Sequence, residues 1–111
     1  MNMLLDNLDE EKRALNEKKV TERKFDAIRV YDQTLLENPH DARIWNKLGC
    51  ELTKISEFKF ALHAYDRAVE INPKNPRYWQ MRGDTLRHLG RTKEADVCFT
   101  QAETLRSKRR R

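Results

Sequence analysis

A spacing of thirty-four residues repeats along this chain. Residues 43–55 and 77–89 align at that spacing without a gap, with Arg, Trp, Gly and Leu in the same order. Residues 27–39 align at the same spacing with residues 61–73, which form the second half of the repeat. Such a period predicts a stack of similar structural units, because each unit can bury its apolar face only against its neighbours.

The units read as helices. The chain of 111 residues has only three Gly and three Pro, and 37% of its residues are charged, against roughly 25% in ordinary globular domains. The apolar spacing predicts helices over about residues 42–55, 58–71, 76–89 and 93–106. Asn75-Pro76 is a helix start, Gly90 a helix stop, and Ser56 and Thr92 are candidate caps.

The repeated residues resemble the tetratricopeptide repeat, whose pattern is W-x-x-L-G followed by Ala, an aromatic, Ala and Pro. Residues 42–75 carry the pattern at Trp45, Leu48, Gly49, Ala61, Tyr65, Ala68 and Pro73. Residues 76–109 carry it at Trp79, Gly83, Ala95, Phe99 and Ala102, and residues 8–41 only at Ala27, Tyr31 and Pro39. The resemblance implies an all-α superhelix, or solenoid, of three helix-turn-helix repeats in a single domain of residues 1–109, with a degenerate first repeat.

Two details of the repeats carry structural expectations. Gly49 and Gly83 fall in mid-helix, where glycine costs about 1 kcal/mol relative to alanine, so we expect a neighbouring helix to pass too close for a side chain. Asp96 and Glu103 stand where the preceding repeat has apolar residues. A terminal repeat needs a polar outer face, so we expect the array to end there, unless these two positions have merely drifted.

The sequence has no recognisable catalytic or metal-binding motif. It lacks G-x-x-x-x-G-K-[ST], G-x-S-x-G and H-E-x-x-H. His40, His63 and His88 are each isolated from other His and from Cys, and Cys50 and Cys98 are expected to be reduced packing residues. We therefore expect no enzymatic activity, cofactor, metal or small-molecule substrate.

In tetratricopeptide repeat proteins the first helix of each repeat lines a concave groove, which the resemblance places here. By helical spacing the groove residues are Lys12, Arg13, Asn16, Arg43, Asn46, Lys47, Lys54, Arg77, Gln80, Met81 and Arg87. The fuller set adds Asp9, Lys19, Cys50, Asp84 and His88, giving eight Lys/Arg against two Asp. Because such a surface attracts ligands of opposite charge, we expect a protein–protein interaction scaffold or adaptor that binds an acidic peptide or a C-terminal carboxylate.

A chaperone tail is one candidate partner. Chaperone-binding tetratricopeptide domains clamp a terminal carboxylate with Lys and Asn on the first groove helix, Asn on the second, and Lys and Arg on the third. By register, Lys12 and Asn16 match the first pair and Arg77 replaces the lysine. Lys47 and Met81 depart from the pattern, and arginine does not reproduce lysine's donor geometry.

A basic C-terminal tail spans residues 106–111, with charges at Arg106, Lys108, Arg109, Arg110 and Arg111. Net charge rises from −3 over residues 1–41 to +6 over residues 76–111. The alternative function is therefore a nucleic-acid-associated accessory protein using the third repeat and this tail. An anionic membrane patch and head-to-tail contact between chains are further readings. No segment is apolar enough to span a membrane, and the expected location is cytoplasmic, or nuclear if the tail is an import signal.

Overall fold

A computed structural model describes the backbone of residues 3–110 and the side chains of residues 8–18, 23 and 25–110. Over this part of the chain it contains no strand and five helices: α1 (Met3–Glu37), α2 (Ala42–Lys54), α3 (Phe58–Ile71), α4 (Pro76–His88) and α5 (Thr92–Arg109). Each helix packs on the next, giving an elongated array of 71 × 33 × 25 Å. The predicted all-α superhelix is confirmed, and α2 to α5 each begin within one residue of the predicted start.

Both mid-helix glycines lie under an aromatic ring of the following helix. A Cβ atom on Gly49 would lie 2.5 Å from Cε1 of Tyr65, and one on Gly83 would lie 2.6 Å from Cε1 of Phe99. No side chain fits at such distances unless the ring moves. The expected close approach of neighbouring helices is therefore present in both α2–α3 and α4–α5.

The repeated tryptophans are tied to the repeated prolines. Nε1 of Trp45 donates a hydrogen bond of 2.8 Å to the carbonyl oxygen of Pro39, and Nε1 of Trp79 donates one of 2.7 Å to that of Pro73. Each bond links the start of one helix to the turn before it. The sequence showed these residues recurring at the same spacing, and the structure supplies the contact between them.

The helix ends only partly follow the predicted caps. Asn75 caps α4 as expected, since its side chain accepts a hydrogen bond of 3.0 Å from the backbone N–H of Arg77. Gly90 has the expected left-handed backbone, with φ of 77°. The prediction that Ser56 caps α3 was wrong: Ser56 is a turn residue with φ of 62°, and the capping position falls on Glu57 without a side-chain bond.

The first repeat is not a helix-turn-helix unit, because α1 runs as one helix of 35 residues. The other two repeats turn through Ser56 and Gly90, both with positive φ, and the first repeat has Glu22 at that register. At Glu22 the backbone stays helical, so α1 continues through the register of that turn. Leu15 also stands at the register of Gly49, where no side chain fits.

The apolar core is a row of small clusters between successive helices. The first joins α1, α2 and α3 through Leu35, Leu48 and Ala64. The others are Ala42, Ala68, Val69 and Tyr78, and then Leu62, Leu86, Ala95 and Cys98. Residues 8–18, by contrast, are exposed throughout. The core therefore begins in the C-terminal half of α1 and continues to α5, where Asp96 and Glu103 are exposed.

Arg82 stands where the second repeat has Leu48, and it takes a structural role. Its Nε lies 2.6 Å from Oδ1 of Asp66 and its guanidinium 3.0 Å from Sγ of Cys98, so it connects α4 to both α3 and α5. Burial works to lower the pKa of Arg82, but its interactions with Asp66 and Cys98 together outweigh burial and raise that pKa. The guanidinium of Arg82 therefore serves contacts between helices.

Candidate functional site

A cleft of about 450 Å³ opens where α2, the start of α4 and the C-terminal half of α1 meet. We call it the α2–α4 cleft. Its lining residues are Tyr31, Arg43, Asn46, Lys47, Cys50, Glu51, Asn75, Arg77 and Tyr78. Five of the predicted groove residues, Arg43, Asn46, Lys47, Cys50 and Arg77, therefore come together here.

The cleft is basic at its rim. Arg43, Lys47 and Arg77 carry three positive charges and are exposed. The single carboxylate of the lining belongs to Glu51, which accepts a hydrogen bond of 2.9 Å from Nζ of Lys54. That carboxylate is already paired, and Nε of Arg43 lies 3.9 Å from Oδ1 of Asp41, so Lys47 and Arg77 supply the local excess of positive charge in the cleft.

Asn46 lies at the base of the cleft with an unsatisfied oxygen. Its side chain is 7% exposed, and its Oδ1 has no hydrogen-bond partner among the described residues. Leaving a buried polar group without a partner costs about 1–3 kcal/mol. A ligand that donates a hydrogen bond to this oxygen would recover that free energy.

Met81 and Arg87 of the predicted groove lie in a second depression of about 210 Å³. It is lined by Thr53, Met81, Asp84, Thr85, Arg87 and His88. The guanidinium carbon of Arg87 sits 4.6 Å from the ring centroid of Phe99, a cation–π contact. His88 is stacked on Phe58 and its Nδ1 lies 2.8 Å from the Asp84 carbonyl oxygen. This end of the groove mixes charges of both signs.

Three of the predicted groove residues lie far from the cleft, on α1. Lys12, Arg13 and Asn16 lie in the exposed stretch of α1. In a continuous helix that rises 1.5 Å per residue, Lys12 stands about 28 Å and Asn16 about 22 Å along the axis from Tyr31, the residue of α1 that lines the cleft. The carboxylate clamp considered from the sequence is therefore not assembled, because the first groove helix does not fold back.

Lys54 and Gln80 are occupied by contacts within the chain. Lys54 pairs with Glu51, and this hydrogen bond raises the pKa of Lys54. Gln80 donates to Oδ1 of Asp84 and accepts from the guanidinium of Arg106, each at 3.4 Å. Neither residue lines the α2–α4 cleft.

The predicted basic tail is largely the end of a helix. Arg106, Lys108 and Arg109 form the last turn of α5, and Arg110 follows directly, 3.8 Å from Glu103. Positive charges at a helix C-terminus are stabilised by the helix dipole. Arg111 lies outside the described residues.

Sequence reasoning missed four residues of the cleft: Tyr31, Glu51, Asn75 and Tyr78. Tyr31 lies at the same position of the repeat as Tyr65, so the sequence indicated a core aromatic residue there. It reaches the cleft because no first-repeat helix covers it. Asn75 was identified only as a cap, although α4 begins at the cleft and brings the cap with it.

The remaining reactive side chains show no catalytic arrangement in the part of the chain that is described. Oη of Tyr65 lies 3.4 Å from Sγ of Cys50, and burial together with this contact raises the pKa of Tyr65. Within the described ranges no group of three His, Cys, Asp or Glu side chains could hold a metal ion. None of the helices described is both long and apolar enough to cross a membrane.

Stacked antiparallel helices with an open cleft on their first helices define a helical-repeat interaction module. Two family models, both described as tetratricopeptide repeat, match residues 42–75 and 64–96. Residues 42–96 are therefore tetratricopeptide repeats, as predicted. The fold of this chain supports a protein–protein interaction scaffold.

Solved structures agree with this assignment. A crystal structure of MamA superposes with a TM-score of 0.76 at 26% identity, covering 81% of this chain and 53% of MamA. MamA from Desulfovibrio magneticus RS-1 gives 0.74 at 23%, covering 78% and 49%. PcrH in complex with the chaperone binding region of PopD gives 0.73 at 19%, covering 93% and 77%. The chain thus spans about half the length of the MamA chains. Among curated proteins none matches significantly.

Proposed function

We propose that this protein is an adaptor that binds an acidic segment of a partner protein, or its C-terminal carboxylate, in the α2–α4 cleft. The observation that carries the proposal is Asn46, whose buried Oδ1 lacks a partner among the described residues at the base of a basic cleft. Its position is explained if a ligand completes the hydrogen bonding there.

The cleft offers complementary groups to an extended peptide. A backbone N–H of the peptide can donate to Asn46, while its carboxylates pair with Arg43, Lys47 and Arg77. Arginine binds a carboxylate with two parallel hydrogen bonds, so Arg43 and Arg77 would set direction and Lys47 would add charge. Both arginines sit in first helical turns held by side-chain caps, which keeps their backbone fixed before binding.

A protein segment is the kind of ligand that similar folds accept. PcrH was crystallised with the chaperone binding region of PopD, a segment of another protein. A heat-shock-type clamp on a chaperone tail is disfavoured here, because Lys12 and Asn16 lie far from the cleft. The free thiols of Cys50 and Cys98 suit a reducing compartment such as the cytoplasm.

Reversing the three rim charges should abolish binding. In the variant Arg43→Glu, Lys47→Glu, Arg77→Glu, a fluorescent peptide of alternating Glu and Asp should bind at least about 100-fold more weakly, since each charge-assisted hydrogen bond contributes roughly 1.5–3 kcal/mol. Fluorescence anisotropy at low salt measures the affinity, and far-ultraviolet circular dichroism should remain that of the parent chain. A peptide with an amidated C-terminus tells whether the terminal carboxylate is needed.

The matched control reverses three exposed lysines outside the cleft: Lys59→Glu, Lys93→Glu and Lys108→Glu. It makes the same change in total charge and should keep most of the affinity. An equal loss in both variants would show that binding follows net charge, and undiminished binding by the cleft variant would contradict the proposal. The nucleic-acid alternative would be favoured if single-stranded RNA bound with steep salt dependence and was lost on changing Lys108, Arg109 and Arg110 to Gln.

A further inference from the structure

The C-terminal half of α1 has a face that the array leaves uncovered. Ala61 of α3 and Ala95 of α5 are fully buried, because the preceding helix of each repeat packs on them. Ala27 stands at the same register of α1 and is only partly buried. No helix precedes it in its own repeat to provide the missing cover.

The same difference recurs along this face. Tyr65 and Ala68 of α3 are fully buried, whereas their register equivalents Tyr31 and Thr34 are only partly buried. Ala27, Tyr31 and Thr34 are spaced as one helical stripe. We call this stripe the open seat of α1, since it is where a first groove helix would lie.

The N-terminal half of α1 carries the matching apolar face. Leu8 and Leu15 are 45% and 52% exposed, although Ala42 and Gly49, at the same register of the second repeat, are buried. Leu8 and Leu15 are two helical turns apart and so share a face. This stretch is the part of the first repeat that the register assigns to the open seat.

The two faces cannot meet within one chain while α1 is continuous. Leu15 and Ala27 are about 18 Å apart along the axis of a straight helix. A tight hairpin would also place Leu15 under Tyr31, in the position where Gly49 lies under Tyr65. A helix from another molecule is not joined to α1 by a tight turn. It can therefore shift along α1 until Leu15 lies beside the ring of Tyr31 and not under it.

Charge favours the same pairing. Because the two helices of a repeat are antiparallel, docking Leu15 near Ala27 carries the acidic stretch Asp9-Glu10-Glu11 toward the end of α1 and the start of α2. Arg43 lies there, at the rim of the α2–α4 cleft. The acidic stretch would therefore come near Arg43 and the positive end of a helix.

We propose that the N-terminal half of α1 docks in the open seat of a second copy of this chain. The exchange is reciprocal, so it forms a closed two-fold dimer in which each copy completes the first repeat of the other. The docked helix covers Ala27, Tyr31 and Thr34 and borders the α2–α4 cleft, since Tyr31 and Arg43 also line that cleft. The dimer itself requires no bound peptide.

The first test measures the oligomeric state of the full chain against concentration by sedimentation velocity and light scattering. The parent chain should reach a dimer. The variant Leu8→Glu, Leu15→Glu should raise the dissociation constant by at least about ten-fold per leucine. The control Phe60→Glu, Val97→Glu changes two apolar residues that are more exposed than Leu8 and Leu15 but lie on α3 and α5, and it should dimerise as the parent does.

The second test locates the contact. Copies carrying Leu15→Cys and isotope-labelled copies carrying Ala27→Cys, both with Cys50→Ser, are mixed and oxidised, and the cross-links are identified by mass spectrometry. A 15–27 link between labelled and unlabelled copies is expected. A monomer at every concentration, a dimer insensitive to the leucine changes, or a dimer without that link would overturn the proposal. In a separate variant that carries both Leu15→Cys and Ala27→Cys, a 15–27 link found only within single chains would show a folded-back hairpin instead and would also overturn the proposal.

Discussion

Replacing Gly49 with alanine should destabilise the protein, although alanine is the better helix former by about 1 kcal/mol. The new Cβ would lie 2.5 Å from the ring of Tyr65, and this ring is fully buried, with its Oη near Cys50 and Thr53. Overpacking of this kind costs about 1–3 kcal/mol. Urea denaturation followed by circular dichroism should show a lower midpoint for Gly49→Ala.

A double-mutant cycle separates the steric cost from other effects. In a Tyr65→Leu background the ring is absent, so Gly49→Ala should cost little or even stabilise. A single variant Gly49→Ala that unfolds at a higher urea concentration than the parent would contradict close helix approach at this position. The same reasoning applies to Gly83 under Phe99.

Truncating Leu86 should cause the larger loss of stability. Leu86 of α4 is fully buried and packs with Leu62 of α3 and with Ala95 and Cys98 of α5. Leu86→Ala removes three carbon atoms from the cluster that joins these helices, and such changes cost about 2–5 kcal/mol. The free energy of unfolding from urea titration should fall by that amount.

Leu36 provides the matched control for this prediction. It is also a helical leucine, but its exposed fraction is 79%, so Leu36→Ala should change the free energy of unfolding by less than about 0.5 kcal/mol. Equal effects of the two substitutions would mean that the stability of the chain does not reside in the clusters between helices.

The sequence was sufficient for the second and third repeats because, apart from the cap predicted at Ser56, the local signals agreed with one another. Asn75-Pro76 starts α4, Gly90 ends it, and Gly49 and Gly83 mark the close contacts. These residues act through backbone conformation and excluded volume. Both effects are properties of the residue type at a register position and can be read without coordinates.

The first repeat could not be read in the same way, because the repeat period was extended into a segment without its signals. Glu22 offers no left-handed turn, and Leu15 offers no space for a ring. The period alone placed Lys12 and Asn16 on a groove helix, and the continuous α1 carries them away from the groove. The repeat period assigns each residue a position in the repeat. Two helices form, however, only if the residues between them can also make a turn.

The cleft was predictable where it depends on α2 and α4 alone. Arg43, Lys47 and Arg77 follow from helical spacing, and the structure brings them to one opening. The burial of Asn46 and the arrival of Tyr31 depend on how three helices pack, which spacing does not give. Arg82 is the opposite case, because this charged residue does not line the cleft and instead pairs with Asp66 inside the array.

The most direct test of the binding proposal is a nuclear magnetic resonance titration of the labelled full chain with the acidic peptide. The side-chain amide of Asn46 and the backbone amides of Arg43, Lys47 and Arg77 should shift together and saturate at one affinity. If the peptide binds while these resonances stay unchanged and those of another surface move, the α2–α4 cleft is not the binding site.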